Sequence, residues 1–80
     1  MEKRVGEALW RTWNYVAYDW AELCESDDIK RAEIFEAVVD ADRLRTYGDD
    51  SEAAEYFYAL DNKKQKKLFN KAFPCRTYFL

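Results

Sequence analysis

The sequence predicts an all-α fold: a small single-domain bundle of three to four helices with a docked C-terminal tail, spanning residues 1–80. Three observations predict it. Apolar residues recur at steps of three and four along most of the chain, the spacing of a helix with one buried face. No stretch of useful length alternates apolar with polar residues as a half-buried strand would. The chain holds only two glycines and one proline, and Gly48 and Pro74 fall where the helical periodicity stops.

A chain this short buries only about 60% of the surface its unfolded form exposes, so its core needs help. The fourteen aromatic residues (three Trp, six Tyr and five Phe) supply it, each burying roughly 150–250 Å² when packed. Fourteen is more than one small core hides, so part of the set is expected at the surface.

The first helix is expected from about Lys3 to Glu25. Val5, Leu9, Trp13, Val16, Trp20, Leu23 and Cys24 form its stripe, widened by Trp10, Ala17 and Ala21. Glu7, Arg11, Asn14, Glu22 and Glu25 take much of the remaining surface. Ser26-Asp27-Asp28 then reads as a boundary, because these side chains accept the free N–H groups of a first turn. A second helix follows from about Asp28 to Arg45. Ile34, Ala37, Val38, Ala41 and Leu44 lie inward with Phe35 beside them, and Glu33, Glu36, Asp40 and Arg43 lie outward. Gly48 is the expected stop, in the left-handed conformation that costs glycine least.

Asp49 with Glu52 has the spacing of a capping box for the third helix, which carries Ala53, Ala54, Tyr56, Phe57 and Leu60. Asn62 with Gln65 has the same spacing. The chain from there is either a continuation of the third helix or a fourth helix, on which Leu68, Phe69, Ala72 and Phe73 resume burial. Pro74 ends it. The tail Cys75-Arg76-Thr77-Tyr78-Phe79-Leu80 is apolar enough to dock on the helices or on a partner.

Much enzyme chemistry is missing. There is no histidine, hence no common neutral-pH base or metal ligand and no histidine-activated nucleophile. Ser26 and Ser51 read as helix starts, and two glycines make no phosphate loop. Glu33, Glu36 and Asp40 share one helical face, but Asp40-Ala41-Asp42 does not continue into a calcium loop. Cys24 and Cys75 alone complete no zinc site. They are expected as reduced, half-buried thiols, with one long-range disulfide as the alternative. No enzyme, cofactor or metal is expected. Met1-Glu2-Lys3-Arg4 leads into no uninterrupted apolar run, and no stretch approaches the roughly 20 apolar residues of a membrane span. A cytoplasmic protein is expected.

The net charge of −3 is unevenly placed. Residues 19–61 carry fourteen acids against four bases, a net −10, whereas residues 62–80 carry six bases and no acid. Such asymmetry suggests a charged partner. Asp27, Asp28, Glu33, Glu36, Asp40, Asp49 and Asp50 are the candidate acidic contacts and, with Asp42, match the charge of a phosphate backbone. Trp10, Tyr15 and Tyr18 do not all fit the first helix's stripe and are candidate aromatic anchors. Lys63, Lys64, Lys66, Lys67 and Lys71 form the alternative, basic patch. Each has a bland counterpart: a solvated acidic face, aromatics that merely cover the core, and a solvated lysine face.

Between Glu52 and Phe79, the residues Tyr56-Phe57, Ala59, Asp61, Asn70-Lys71 and Pro74 followed by aromatics resemble, with gaps, the Hha/YmoA family of nucleoid modulators. The likeness covers about a third of the chain and omits the first 25 residues. It implies a small helical partner of a nucleoid protein.

The functional expectation is a non-enzymatic protein-binding regulator or inhibitor of a larger, nucleic-acid-processing partner, acting through the acidic surface. By analogy, such small acidic proteins are made by phages and mobile elements, anti-CRISPR inhibitors among them. The alternatives are a nucleic-acid-associated regulator using Lys63 to Lys71, and a homo-oligomeric structural protein.

Overall fold

The computed structural model describes residues 1–16, 19–25 and 27–74. Among these, all regular structure is helical: α1 (Glu2–Val16), α2 (Trp20–Glu25), α3 (Asp28–Val39), a 3-10 turn (Asp40–Asp42), α4 (Arg43–Tyr47), α5 (Ser51–Tyr58) and α6 (Asn62–Ala72). The expected docked tail, residues 75–80, lies outside the described residues, as do Ala17, Tyr18 and Ser26.

The helix α1 is the hub, packing against α3, α4, α5 and α6. Its stripe explains why: Val5, Ala8, Leu9 and Trp13 are buried on one side. They meet Leu23, Ile34, Phe35, Val38, Leu44, Ala53, Ala54, Phe57, Phe69 and Phe73 in one continuous core. Most apolar positions anticipated from periodicity are buried or half-buried, whereas Trp10, Trp20, Ala21, Ala41 and Tyr56 are exposed.

The boundaries differ from expectation for identifiable reasons. The helix expected over Lys3–Glu25 is divided, with α1 ending at Val16 and α2 starting at Trp20. Asp19 restarts it by accepting the Glu22 N–H at 2.7 Å, the role of a helix cap. The helix expected over Asp28–Arg45 is broken at Val39, and Ala41 (φ 51°) and Asp42 (φ 56°) are left-handed. The chain divides again after Tyr58, giving α5 and α6 as separate helices.

The expected start at Ser26-Asp27-Asp28 holds, and the next two caps shift by one residue. Asp27 accepts the Lys30 N–H at 2.8 Å, Asp50 rather than Asp49 accepts the Ala53 N–H at 3.2 Å, and Asp61 rather than Asn62 accepts the Lys64 N–H at 2.9 Å. Gln65 instead reaches back to the Phe57 carbonyl at 3.1 Å, joining α6 to α5. Gly48 also departs from expectation. It is right-handed (φ −72°), and Asp49 takes the positive φ of 54°. Space is what Gly48 supplies: a Cβ there would sit 2.9 Å from the Ala8 Cβ and collide with the Leu44 carbonyl. Its absence lets α4 close on α1.

Candidate functional site

The acidic side of α3 follows from helix geometry. Residues 29, 33, 36 and 40 are spaced four, three and four apart, so they share one side. Ile34, Phe35 and Val38 are buried, which turns that other side outward. Ile29 is 74% exposed, and Glu33, Glu36 and Asp40 are exposed beside it.

The bend after Val39 shapes this ridge into a groove. A broken helix leaves a carbonyl and an N–H without their usual partners. Tyr58 on α5 serves both: its hydroxyl donates to the Val39 carbonyl at 3.0 Å and accepts the Leu44 N–H at 3.1 Å. Burial pushes the Tyr58 phenol above its ordinary value. Arg45 lies 5.6 Å from the Tyr58 ring centre and pairs with Asp42 and Glu55 at 3.6 Å. An open groove of about 780 Å³ results, with Glu33, Glu36, Asp40 and Asp42 around Phe35, Val39, Tyr58 and Asn62.

Glu33 is 3.8 Å from Lys30. Glu36 and Asp40 form no ion pair among the described residues. The groove thus offers carboxylate acceptors over an apolar floor, suited to a cationic or hydrogen-bond-donating segment. Among the described residues no group of three or more His, Cys, Asp or Glu is arranged to hold a metal ion.

The other expected acidic contacts are dispersed. Asp27 and Asp50 cap helices. Asp28 lines a smaller groove between α3 and α6. Asp49 lies near Tyr15 and Tyr47 on a different surface. Only Glu33, Glu36 and Asp40 come together, joined by Asp42. Tyr58 and Asn62, which complete the groove, carried no sequence signal as site residues, because their proximity depends on the bend.

The aromatic candidates also separate. Trp10 is 37% exposed, but its indole N–H donates to the Ala72 carbonyl at 3.0 Å. Its ring stacks on Trp20 at 5.5 Å and meets Phe73 at 4.8 Å. Trp10 therefore ties α1 to α2 and to the end of α6. Trp13 sits in the same cluster, its buried indole N–H without a hydrogen-bond partner among the described residues. Tyr15, 68% exposed, stacks on Tyr47 at 4.6 Å. Tyr18 lies outside the described residues.

On α6, Lys63, Lys64, Lys66, Lys67 and Lys71 are all exposed. Lys71 pairs with Glu2 at 3.2 Å, and the Lys66 ammonium stands 5.8 Å from the Phe35 ring centre. Lys63, Lys64 and Lys67 make no ion pair among the described residues. Cys24 is a buried free thiol, and Cys75 lies outside the described residues. No described helix is long and apolar enough to cross a membrane.

No family model, no curated protein and no solved structure matches the chain. The resemblance to nucleoid modulators rests on the quoted residues alone.

Proposed function

We propose that this chain is a non-enzymatic protein-binding module that regulates or inhibits a larger partner through the acidic side of α3. The observation that carries this reading is the gathering of Glu33, Glu36, Asp40 and Asp42 around one open groove, with Glu36 and Asp40 left without ion pairs among the described residues. Carboxylates so placed complement the lysine- and arginine-rich surface of a nucleic-acid-binding protein. A phage- or mobile-element-encoded, anti-CRISPR-like inhibitor is one form of this reading and rests on analogy. In this reading the chain acts in the cytoplasm as one small helical bundle, with residues 75–80 docked on the helices.

The test is an affinity capture from lysate, with and without nuclease, comparing the natural sequence with the combined variant Glu33→Lys, Glu36→Lys and Asp40→Lys. These residues are exposed, so circular dichroism should be unchanged. A protein partner that survives nuclease and is lost with the variant supports the reading. Equal capture by both removes the acidic ridge from it. The alternative, direct nucleic-acid binding by the lysine segment, is favoured by the exposure of Lys63, Lys64 and Lys67 without ion pairs among the described residues. It predicts a steeply salt-dependent shift of labelled DNA or RNA that Lys63→Ala and Lys67→Ala weaken.

A further inference from the structure

Two ridges of opposite charge run side by side on this molecule. Arg31 donates to the Asn70 side chain at 2.8 Å and to the Phe73 carbonyl at 2.7 Å. Phe35 meets Phe69 edge-on at 5.4 Å and lies under Lys66. The groove beside Val39 and Asp40 reaches Asn62. Numbers rise along α3 as they fall along α6, so the helices are antiparallel neighbours. Glu33, Glu36 and Asp40 share the outer side of α3, and Lys63, Lys66 and Lys67 share a side of α6. Lys66 marks the level of Phe35, and Asn62 the level of Val39 and Asp40, so Lys63 and Lys67 bracket the level of Glu36. Glu36, Asp40, Lys63 and Lys67 are all exposed, and none forms an ion pair among the described residues.

We propose that these ridges form a homodimer contact. A two-fold axis running between and along α3 and α6 exchanges left and right while preserving level along the helices. It therefore sets the lysine ridge of each copy on the acidic ridge of the other, with Lys63 and Lys67 of one copy near Glu36 and Asp40 of its partner. An axis in the same plane but across the helices would set acid on acid and lysine on lysine, so charge selects one of the two arrangements. Ile29, at the end of the acidic ridge, adds an exposed apolar contact. Exposed ion pairs each contribute little and are screened by salt. The dimer is accordingly weak and sensitive to ionic strength. This proposal does not rest on the partner-binding reading.

The experiment is sedimentation equilibrium of the purified chain at low salt (~20 mM) and high salt (~500 mM). A dimer at low salt that dissociates at high salt is expected. The paired variants Glu36→Lys with Asp40→Lys, and Lys63→Glu with Lys67→Glu, should each weaken self-association by about ten-fold or more. An equimolar mixture of the two variants should restore the dimer, because each reversed ridge again meets its opposite. If either variant fails to fold by circular dichroism, the neutral pair Glu36→Gln and Lys63→Gln should still weaken the dimer. A chain that is monomeric at low salt overturns the proposal, as does a dimer indifferent to both variants or a mixture that stays monomeric. Only purified chain is used, so failure here leaves the lysate capture result standing, and the converse holds.

Discussion

Arg4 on α1 grips Asp50, the cap of α5, through two parallel hydrogen bonds of 2.9 and 2.7 Å. The third arm of the guanidinium donates to Glu52 at 2.9 Å. The hydrogen bonds from Arg4 hold the Asp50 carboxyl below its ordinary value of 3.8, with help from the Ala53 N–H. A depressed carboxyl stabilises the fold fully above its unfolded value and loses that contribution as pH falls through the folded value. Asp50→Asn should keep the cap, since Asn is an equally good one, but lose the ion pair. Its melting temperature should be lower than that of the natural sequence at pH 7, with the gap closing below about pH 3.8. Thermal melts across pH 2–7 measure this; a gap independent of pH would show that the pair adds nothing.

Gly48→Ala should destabilise by about 1–3 kcal/mol. The added methyl meets the Ala8 Cβ at 2.9 Å and the Leu44 carbonyl, both on elements fixed by the core. For a chain of this size that is a fall of at least about 4 °C in melting temperature. An unchanged melting temperature would mean that α4 can retreat from α1 without loss.

Tyr58→Phe should cost about 1–3 kcal/mol, because the Val39 carbonyl and Leu44 N–H lose their shared partner at the bend. The raised phenol makes a second, separable prediction. Its contribution is complete below the unfolded value of 10.0 and fades as pH rises through the higher folded value. The natural sequence should therefore lose stability above pH 10 more steeply than the Phe variant, in denaturant titrations at several pH values.

Ala41→Gly should stabilise by about 1 kcal/mol. Ala41 is exposed and left-handed at φ 51°, a conformation that costs an L-residue roughly 1–2 kcal/mol and glycine little. Chemical denaturation reads the change directly. A loss of stability instead would mean that the extra freedom of the unfolded Gly chain outweighs the relieved strain.

Legibility in the sequence tracked how local each cause was. The spacing of Val5, Leu9, Trp13, Ile34, Val38 and Phe57 predicts that they face inward, and all are buried, because a helix turns spacing into facing. Composition marks the helix starts but not the capping residue at Asp50 and Asp61, since neighbouring Asp and Asn residues are equivalent caps until the chain path selects one. The break after Val39 gave no signal, because nothing in Val39-Asp40-Ala41-Asp42 forbids a helix. The bend is held by Tyr58, which is sixteen residues or more downstream of those four positions. The candidate site was legible in the same uneven way. Glu33, Glu36 and Asp40 share a helical side by arithmetic, but Asp42, Tyr58 and Asn62 join them only through that bend. Trp10 read as a surface anchor, yet it is pinned to Ala72, sixty-two residues away.

The sequence by itself determined that the chain is helical, which residues build its core, and that acidic and basic charge are segregated along it. These depend on periodicity, capping chemistry and composition, all of which act within a few residues. Only the tertiary structure decided where the helices break, that Gly48 is needed for closeness rather than for a left-handed turn, and that Asp50 is held by Arg4. It also decided that the acidic side of α3 lies beside the lysine side of α6. Those features depend on contacts between residues remote in sequence, whose meeting is fixed by how the helices pack and by no property of either residue alone.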